Sequence, residues 1–178
     1  MVRSALILTA AMAQDEEYVV PLYRLQEEEF QVEVAVHGDA EVKCILGVPI
    51  KPTIYMGAVT PKAFDLLVIP GGVKAMEKLR LNSFAVALVK EFAHEGKMIA
   101  SICSGAQMLI SADLVRGRTI AAYDAMRIDV ENAGGTWSGA PAVIDGKFVT
   151  SPHYKYAGEW MKAVFVALEW AKESPVFV

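Results

Sequence analysis

The chain has 178 residues, is 54% hydrophobic and 21% charged, and carries a formal net charge of −4. This length suits one domain with a substantial core, so we expect residues 1–178 to form a single domain. The slightly acidic balance, without a basic block, is unfavourable to a nucleic-acid-binding or anionic-membrane surface. Two cysteines make no disulfide framework, which favours a reducing, cytoplasmic location, and no apolar run reaches transmembrane length.

Apolar runs alternate with helical stripes along the chain. The run at 5–9 predicts a buried first strand; its outline also suits a short signal peptide, but the later pattern needs it as the opening strand. The acids at 15–17 indicate the start of a helix. Further strands are predicted at 31–36, 64–69, 98–102 and 119–122, irregular β structure at 42–54, a hairpin at 143–150, and helices around 85–92, from Asp124 to 134, and at 157–172. This alternation predicts a mostly parallel α/β sheet with its ligand site at the carboxyl ends of the strands.

Cys103 follows an apolar run and precedes a Ser-Gly turn and the helix formers of 106–110. Strand, turn and helix form a nucleophile elbow, and the helix N-terminus favours thiolate, so we expect a lowered Cys103 pKa. The alternative is a buried cysteine with no chemical role. Cys44, which has no such turn after it, is interpreted as structural. Gly71 and Gly72 follow another predicted strand. There, their N–H groups and that of Ser104 are predicted to form an oxyanion hole. The alternative is that the two glycines only make a tight turn.

Together these stretches resemble the DJ-1/PfpI superfamily, most closely its PfpI-type intracellular protease/amidase branch. The resemblance covers nearly the whole chain in order. It is carried by residues 23–25, 64–65, 68–72, 79–82, 96–97, 100–103, 116–118, 132–135 and 145–146, together with Glu17, Pro21, Glu77, Gly105 and Gln107. The resemblance implies a flavodoxin-like three-layer sandwich, related to class I glutamine amidotransferases, with a cysteine nucleophile and a homo-oligomeric assembly.

Two acids match the family's functional acids. Cys103 matches the reactive cysteine, and Glu17 matches the acid that hydrogen-bonds its sulfur; the alternative for Glu17 is a solvated acid of the first helical turn. Glu77 matches the acid that, in the protease branch, crosses a subunit interface to orient a histidine. That histidine directly follows the nucleophile, where this chain has Ser104, so the usual Cys–His–Glu triad cannot be assembled.

The glyoxalase-type branch often has a histidine after the next strand, which here ends at Tyr123, and we predict Tyr123 itself as a substrate-binding residue. His153 is therefore the remaining candidate near the substrate, as a lining residue or base, and its alternative is a surface histidine. His37 and His94 are interpreted as surface residues. The three histidines are scattered and there is no cysteine cluster, so we expect no metal site. The sequence contains no phosphate-binding glycine motif, so we expect no cofactor.

The residues and the resemblance together favour a cysteine-dependent enzyme on a small electrophilic carbonyl, amide or nitrile-like substrate: a hydrolase, hydratase or glyoxalase-like enzyme. The alternative is a non-catalytic redox sensor or chaperone-like protein using the same thiol. Peptidase activity is disfavoured by Ser104. We expect a homo-oligomer, at least a dimer, with Glu77 and Arg80 near its interface. There Glu77 either pairs with Arg80 at i,i+3 spacing or reaches Ser104 of a neighbouring subunit.

Overall fold

The computed structural model describes residues 3–173, with side chains up to residue 169. Within these residues there are ten strands and six α-helices, and short 3-10 turns connect several of them. The strands are β1 (Ser4–Thr9), β2 (Gln31–Val36), β3 (Val42–Lys43), β4 (Pro49–Ile50), β5 (Leu66–Ile69), β6 (Met98–Ile102), β7 (Thr119–Ala121), β8 (Thr136–Ser138), β9 (Val143–Asp145) and β10 (Phe148–Ser151). The helices are α1 (Asp15–Glu27), α2 (Val73–Arg80), α3 (Ser83–His94), α4 (Ala106–Ser111), α5 (Arg127–Asn132) and α6 (Ala157–Glu173).

The central sheet has the strand order β2-β1-β5-β6-β10-β9 and is parallel except for β9, which pairs antiparallel with β10. Strands β5 and β6 are buried along their whole length and lie in the middle of this sheet. A parallel strand covered on both faces needs a continuous apolar sequence, which both segments have. The predicted three-layer α/β class is confirmed.

Helices cover both faces of the sheet. Helices α1 and α6 pack against each other and against β2 and β10, whereas α2, α3 and α4 pack together on the opposite face. The fully buried Trp160 of α6 donates its indole N–H to the Val149 carbonyl at 3.1 Å, which fixes α6 over β10. The carboxyl ends of β1, β5 and β6 therefore open at one edge, where the loops after them meet.

Two predictions near the chain's second half need correction. The strand predicted at 119–122 is β7, which pairs with β8 in a separate two-stranded sheet and does not extend the central one. Asp124 caps no helix, because it begins a 3-10 turn ahead of the six-residue α5 and makes no side-chain capping bond. The hairpin at 143–150 is confirmed as β9 and β10, with Gly146 at φ +58° in its turn.

The edge strand β2 is covered in its middle by the chain's own loop. Val34 donates its N–H to Thr53 Oγ1 at 2.8 Å and accepts the Thr53 N–H at 2.9 Å. Ile54 N–H lies 3.4 Å from the same Val34 carbonyl. The outward backbone groups of Val34 are therefore already paired, although β2 is the last strand of the sheet.

Within residues 3–173, no helix combines the length and the apolar character that crossing a membrane would require.

Candidate active site

Cys103 stands directly after β6, in a strained backbone conformation. Its φ is +57°, a left-handed value that a non-glycine residue adopts only when the surrounding structure imposes it. A 3-10 turn, Cys103–Gly105, leads from the strand into α4. The half-buried thiol is thereby lifted from the sheet edge. This is the strand–turn–helix geometry that the sequence predicts for a nucleophile.

Glu17 lies in the first turn of α1 and is fully buried. Its Oε2 accepts the Gly71 N–H at 2.8 Å, and its carboxyl group lies within hydrogen-bonding reach of the Cys103 thiol. Its other oxygen, Oε1, has no well-aligned hydrogen-bond partner within the described chain. The alternative of a solvated acid at the helix start is therefore wrong, because the carboxyl group is buried beside the thiol and one of its oxygens has no other partner in the described chain.

Gly71 allows Glu17 and Cys103 to meet because it has no side chain. A Cβ at this position would lie 2.4 Å from Glu17 Oε2, 2.9 Å from the Ile102 carbonyl oxygen and 3.0 Å from Cys103 Cβ. Its N–H donates to Glu17, so in this structure Gly71 is not free to serve as the predicted oxyanion donor. Its place in the site is to orient the acid and leave it room.

The protonation of the acid–thiol pair is set mainly by burial. Burial raises the pKa of Glu17 to about 8, and hydrogen bonds from Cys103 and the Gly71 N–H only partly oppose this. Burial, followed by the negative charge of Glu17, raises the Cys103 pKa to about 12. Glu17 is thus the first of the pair to ionise, near pH 8, and the remaining proton is then shared between carboxyl and sulfur.

The predicted lowering of the Cys103 pKa is therefore wrong. The Ser104 N–H and hydroxyl both act to lower the Cys103 pKa and so favour its thiolate, as expected at a helix start, although the hydroxyl oxygen has no well-aligned hydrogen-bond partner in the described chain. However, α4 has only six residues, and desolvation of the thiol outweighs these donors. Ser104 is fully buried and faces the Cys103 sulfur. Its N–H therefore interacts with the sulfur before it can donate to a substrate oxygen.

A cavity of about 440 Å³ opens beside the thiol. It is lined by Met12, Gln14, Glu17, Ile45, Gly72, Val73, Lys74, Cys103, Tyr123, His153 and Tyr154. The predicted residues Glu17, Gly72, Cys103, Tyr123 and His153 are thus brought together from five separate segments. Gly72, at φ +99°, is the predicted oxyanion donor that reaches the cavity wall.

His153 and Tyr123 are close neighbours on this wall. Their ring centroids are 6.4 Å apart, and the His153 centroid is 4.1 Å from that of Tyr154. His153 Nδ1 accepts the Lys155 N–H at 3.2 Å. The half-buried His153 ring lines the cavity that contains Cys103, the position expected for a lining residue.

Glu77 and Arg80 lie outside the cavity, on the exposed face of α2. The predicted Glu77–Arg80 pair is not formed: Arg80 Nε instead donates to Ser111 Oγ of α4 at 3.1 Å, and Glu77 has no ion-pair partner within residues 3–169. Arg80 therefore bonds Ser111 on the neighbouring helix and does not bond Glu77, one turn away on its own helix. The structure contains one chain, so the position of Glu77 relative to another subunit remains a prediction.

Sequence reasoning missed the wall formed by the loop between β3 and β4. Ile45 of this loop lines the cavity, and Asp15 holds the loop by accepting the Leu46 N–H at 2.7 Å and the Val48 N–H at 3.1 Å. Asp15 is buried. An acid two positions before Glu17 on the same helical turn was the only available signal, and local sequence does not show which loop it will meet.

No group of three or more histidine, cysteine or acidic side chains suited to a metal ion occurs in the part of the chain that the structure describes.

Comparisons with known proteins agree with this architecture. The DJ-1/PfpI family model matches residues 3–167. The chain is 40% identical to "Deglycase TK1284" of Thermococcus kodakarensis over 157 residues, covering 88% of this chain and 94% of that protein. It is 38% identical to "Deglycase PfpI" of Pyrococcus furiosus, with the same coverage of both chains.

A solved structure extends the agreement to three dimensions. It is a two-domain protein of Anabaena variabilis with DJ-1/ThiJ/PfpI-like and ferritin-like domains, and it superposes with a TM-score of 0.90 at 28% identity. The match covers 97% of this chain and half of that longer one. With the family model, these relatives and the acid–thiol pair in agreement, the chain belongs to the DJ-1/PfpI family.

Proposed function

We propose that this protein is a cysteine-dependent hydrolase of the deglycase type, which releases a free amine or thiol from its adduct with a small carbonyl compound. The observation that carries the proposal is the buried Glu17 carboxyl against the Cys103 thiol, on the wall of a cavity of about 440 Å³. The names of the relatives support the deglycase type.

The first chemical step uses the two members of the pair in different roles. Cys103 Sγ adds to the substrate's carbonyl carbon, and the π electrons of the C=O bond move onto its oxygen. The thiol proton passes to the Glu17 carboxylate, and the Gly72 N–H on the cavity wall is placed to donate to the developing oxyanion. A general base works best when its pKa lies near the operating pH, and burial has brought Glu17 to about 8.

Glu17 then holds the proton that the leaving group needs. It returns this proton when the bond to the amine or thiol breaks, and water completes the hydrolysis. For an adduct of methylglyoxal, one hydrogen also moves with its electron pair from the carbon that bears the amine or thiol to the attacked ketone carbon, whose bond to Cys103 breaks as the hydrogen arrives. The first carbon is thereby oxidised to the carboxyl level and the second reduced to an alcohol. Adduct plus water therefore gives the free amine or thiol plus lactic acid, and no external oxidant or reductant is consumed.

Two other candidate functions receive less support. Peptidases of this family need an imidazole directly after the nucleophile, and the Ser104 hydroxyl cannot act as a base at neutral pH. A redox sensor needs an exposed thiolate, whereas Cys103 is half-buried with a pKa raised to about 12. Sulfinic acid formed at Cys103 by dilute peroxide, with no turnover of any carbonyl adduct, would favour the sensor.

The test uses methylglyoxal adducts of N-acetylcysteine and N-acetyl-lysine, with release of thiol or amine and formation of lactate measured together. Cys103→Ser is expected to abolish turnover, and Glu17→Gln to reduce kcat at least 10²-fold, the range for losing a general base. Cys44→Ser, checked for folding, is the matched cysteine control. Rates that follow free methylglyoxal and not the adduct would make the protein a glyoxalase; full activity in Cys103→Ser would refute the proposal.

We also propose that the protein is a homo-oligomer, at least a dimer, with Glu77 and Arg80 near its interface. Three exposed apolar side chains close to Glu77 support this: Val73 is 46% exposed, Leu81 86% and Phe84 47%. Light scattering after size exclusion should give at least a dimer for the wild type and a smaller species for Leu81→Glu. A monomeric wild type at micromolar concentration would remove this proposal.

A further inference from the structure

His153 has one ring nitrogen already occupied. It stands in extended backbone before the 3-10 turn Tyr154–Tyr156, and its Nδ1 accepts the Lys155 N–H at 3.2 Å. A backbone N–H only donates, so Nδ1 must offer its lone pair. In a neutral imidazole with an accepting Nδ1, the proton is on Nε2.

The ring is also held in place from two sides. The Tyr154 ring centroid is 4.1 Å away with the planes at 44°, and the Tyr123 centroid is 6.4 Å away at 41°. All three side chains line the cavity that contains Cys103. The bond from Lys155 sets the tautomer of this half-buried ring on the cavity wall, so Nε2–H is the hydrogen-bond donor that the ring has left.

This arrangement is unsuited to a general base. Accepting a proton at Nδ1 would break the bond to Lys155 that caps the turn, and Nε2 already carries a proton. The sulfur has its own proton acceptor in Glu17, which reaches it directly. The remaining capacity of His153 is donation of one hydrogen bond to an oxygen of the bound molecule.

We infer that His153 is a substrate-binding donor, whose Nε2–H takes an oxygen acceptor of the substrate, and that it is not the base of the reaction. The inference rests on the proposed function and deepens it. It requires a substrate that has an acceptor oxygen in addition to the oxygen on the carbon that Cys103 attacks. A carbonyl adduct with a hydroxyl or second carbonyl group meets this requirement, whereas a simple aldehyde does not.

Two isosteric variants separate the possible roles. In His153→Gln, the side-chain amide nitrogen lies near the position of Nε2 and restores a donor but no base. In His153→Asn, the side-chain oxygen lies near the position of Nδ1, so it caps the turn through Lys155 but provides no donor to the cavity. His94→Gln, at the exposed end of α3, is the matched control.

The assay is the N-acetylcysteine–methylglyoxal adduct, with kcat and KM measured separately and folding followed by thermal unfolding. We expect His153→Gln to keep kcat/KM within about 3-fold of the wild type, His153→Asn to lose on the order of 30-fold, and His94→Gln to be unchanged.

Each other result overturns the inference in a distinct way. Equal loss in the Gln and Asn variants would make His153 a base, retention in Asn with loss in Gln would make it a turn cap only, and retention in both would make it dispensable. Cys103→Ser is run in parallel: its activity tests the proposed function alone, so the two failures are distinguishable.

Discussion

The two cysteines occupy environments that differ less in electrostatics than in access. Each is met by an acid from the first turn of α1, and burial raises the pKa of each thiol to about 12. After burial, the negative charge of Asp15 acts on Cys44 and that of Glu17 on Cys103. By the direction of their pKa shifts alone, the structural and the reactive thiol are indistinguishable.

What differs is whether the acid and the sulfur have capacity left for a substrate. Asp15 spends both carboxylate oxygens on the Leu46 and Val48 N–H groups, and Cys44 is only 2% exposed. Glu17 accepts one backbone N–H, from Gly71, and its other oxygen has no hydrogen-bond partner in the described chain, while Cys103 lines an open cavity. An uncommitted carboxyl oxygen and an open path therefore identify the reactive site more securely than a perturbed pKa does.

The largest expected effect is on alkylation. Iodoacetamide should label Cys103 on the order of 10³-fold faster than Cys44, since labelling of Cys44 requires local opening of the core. Labelling of Cys103 should accelerate as pH rises through about 8, because ionised Glu17 accepts the thiol proton. Mass spectrometry of timed samples measures both rates, and samples in guanidinium, where both thiols should react alike, are the control. Equal native rates would erase the distinction between the two sites.

The next effect is on stability. A folded-state pKa of about 8 for Glu17, against 4.5 in the unfolded chain, means that the folded protein holds the proton more tightly. Its stability contribution is full below pH 4.5 and is lost as pH rises toward 8. Glu17→Gln, neutral throughout, should therefore gain roughly 4 kcal/mol on the wild type between pH 4.5 and 9, as measured by urea unfolding. A constant difference across this range would show that Glu17 ionises normally.

Removing the space between acid and thiol should cost activity. In Gly71→Ala, the new Cβ displaces Glu17 or Cys103, and kcat should fall roughly 10²-fold, the usual cost of misplacing reacting groups by about 1 Å. Gly158→Ala in α6, where a Cβ meets nothing within 4 Å, is the matched control and should slightly stabilise the helix. Unchanged kcat in Gly71→Ala would separate catalysis from the close approach of the pair.

The smallest effect concerns the wall that Asp15 holds. Asp15→Asn replaces one acceptor oxygen with a donor that faces a loop N–H, so the loop carrying Ile45 should loosen and KM should rise about five-fold with kcat nearly unchanged. Asp39→Asn is the control, because Asp39 holds the Met56 N–H at 2.8 Å in a loop away from the cavity. Equal effects in both variants would mean that Asp15 acts through general stability.

Local patterns were sufficient to predict the fold and the strand–turn–helix geometry at Cys103. The apolar runs that become β5 and β6, and the Ser-Gly turn after Cys103, express their structure over a few neighbouring residues. The residue types and order were also sufficient to place Glu17 at a helix start. These features depend on short-range periodicity and turn chemistry, which a single sequence displays.

The rest depends on which segments the fold brings together. Asp15 and Glu17 are locally equivalent acids, and only the arrival of the 44–48 loop at one and of Gly71 at the other separates their roles. The Cys103 pKa was mispredicted because helix direction is local whereas desolvation is set by distant packing. Arg80 likewise bonds Ser111 of another helix, which its i,i+3 spacing to Glu77 did not indicate.

The pairing of Val34 with Thr53 also limits how the protein can associate with itself. An open edge strand is a template on which a second chain can add a strand, leading to continuous sheets or to aggregation. On β2 that template is interrupted at its centre, because Thr53 already occupies both backbone groups of Val34. A second chain could therefore extend the sheet along β2 only after displacing Thr53, so this edge is protected against strand addition by the chain's own loop.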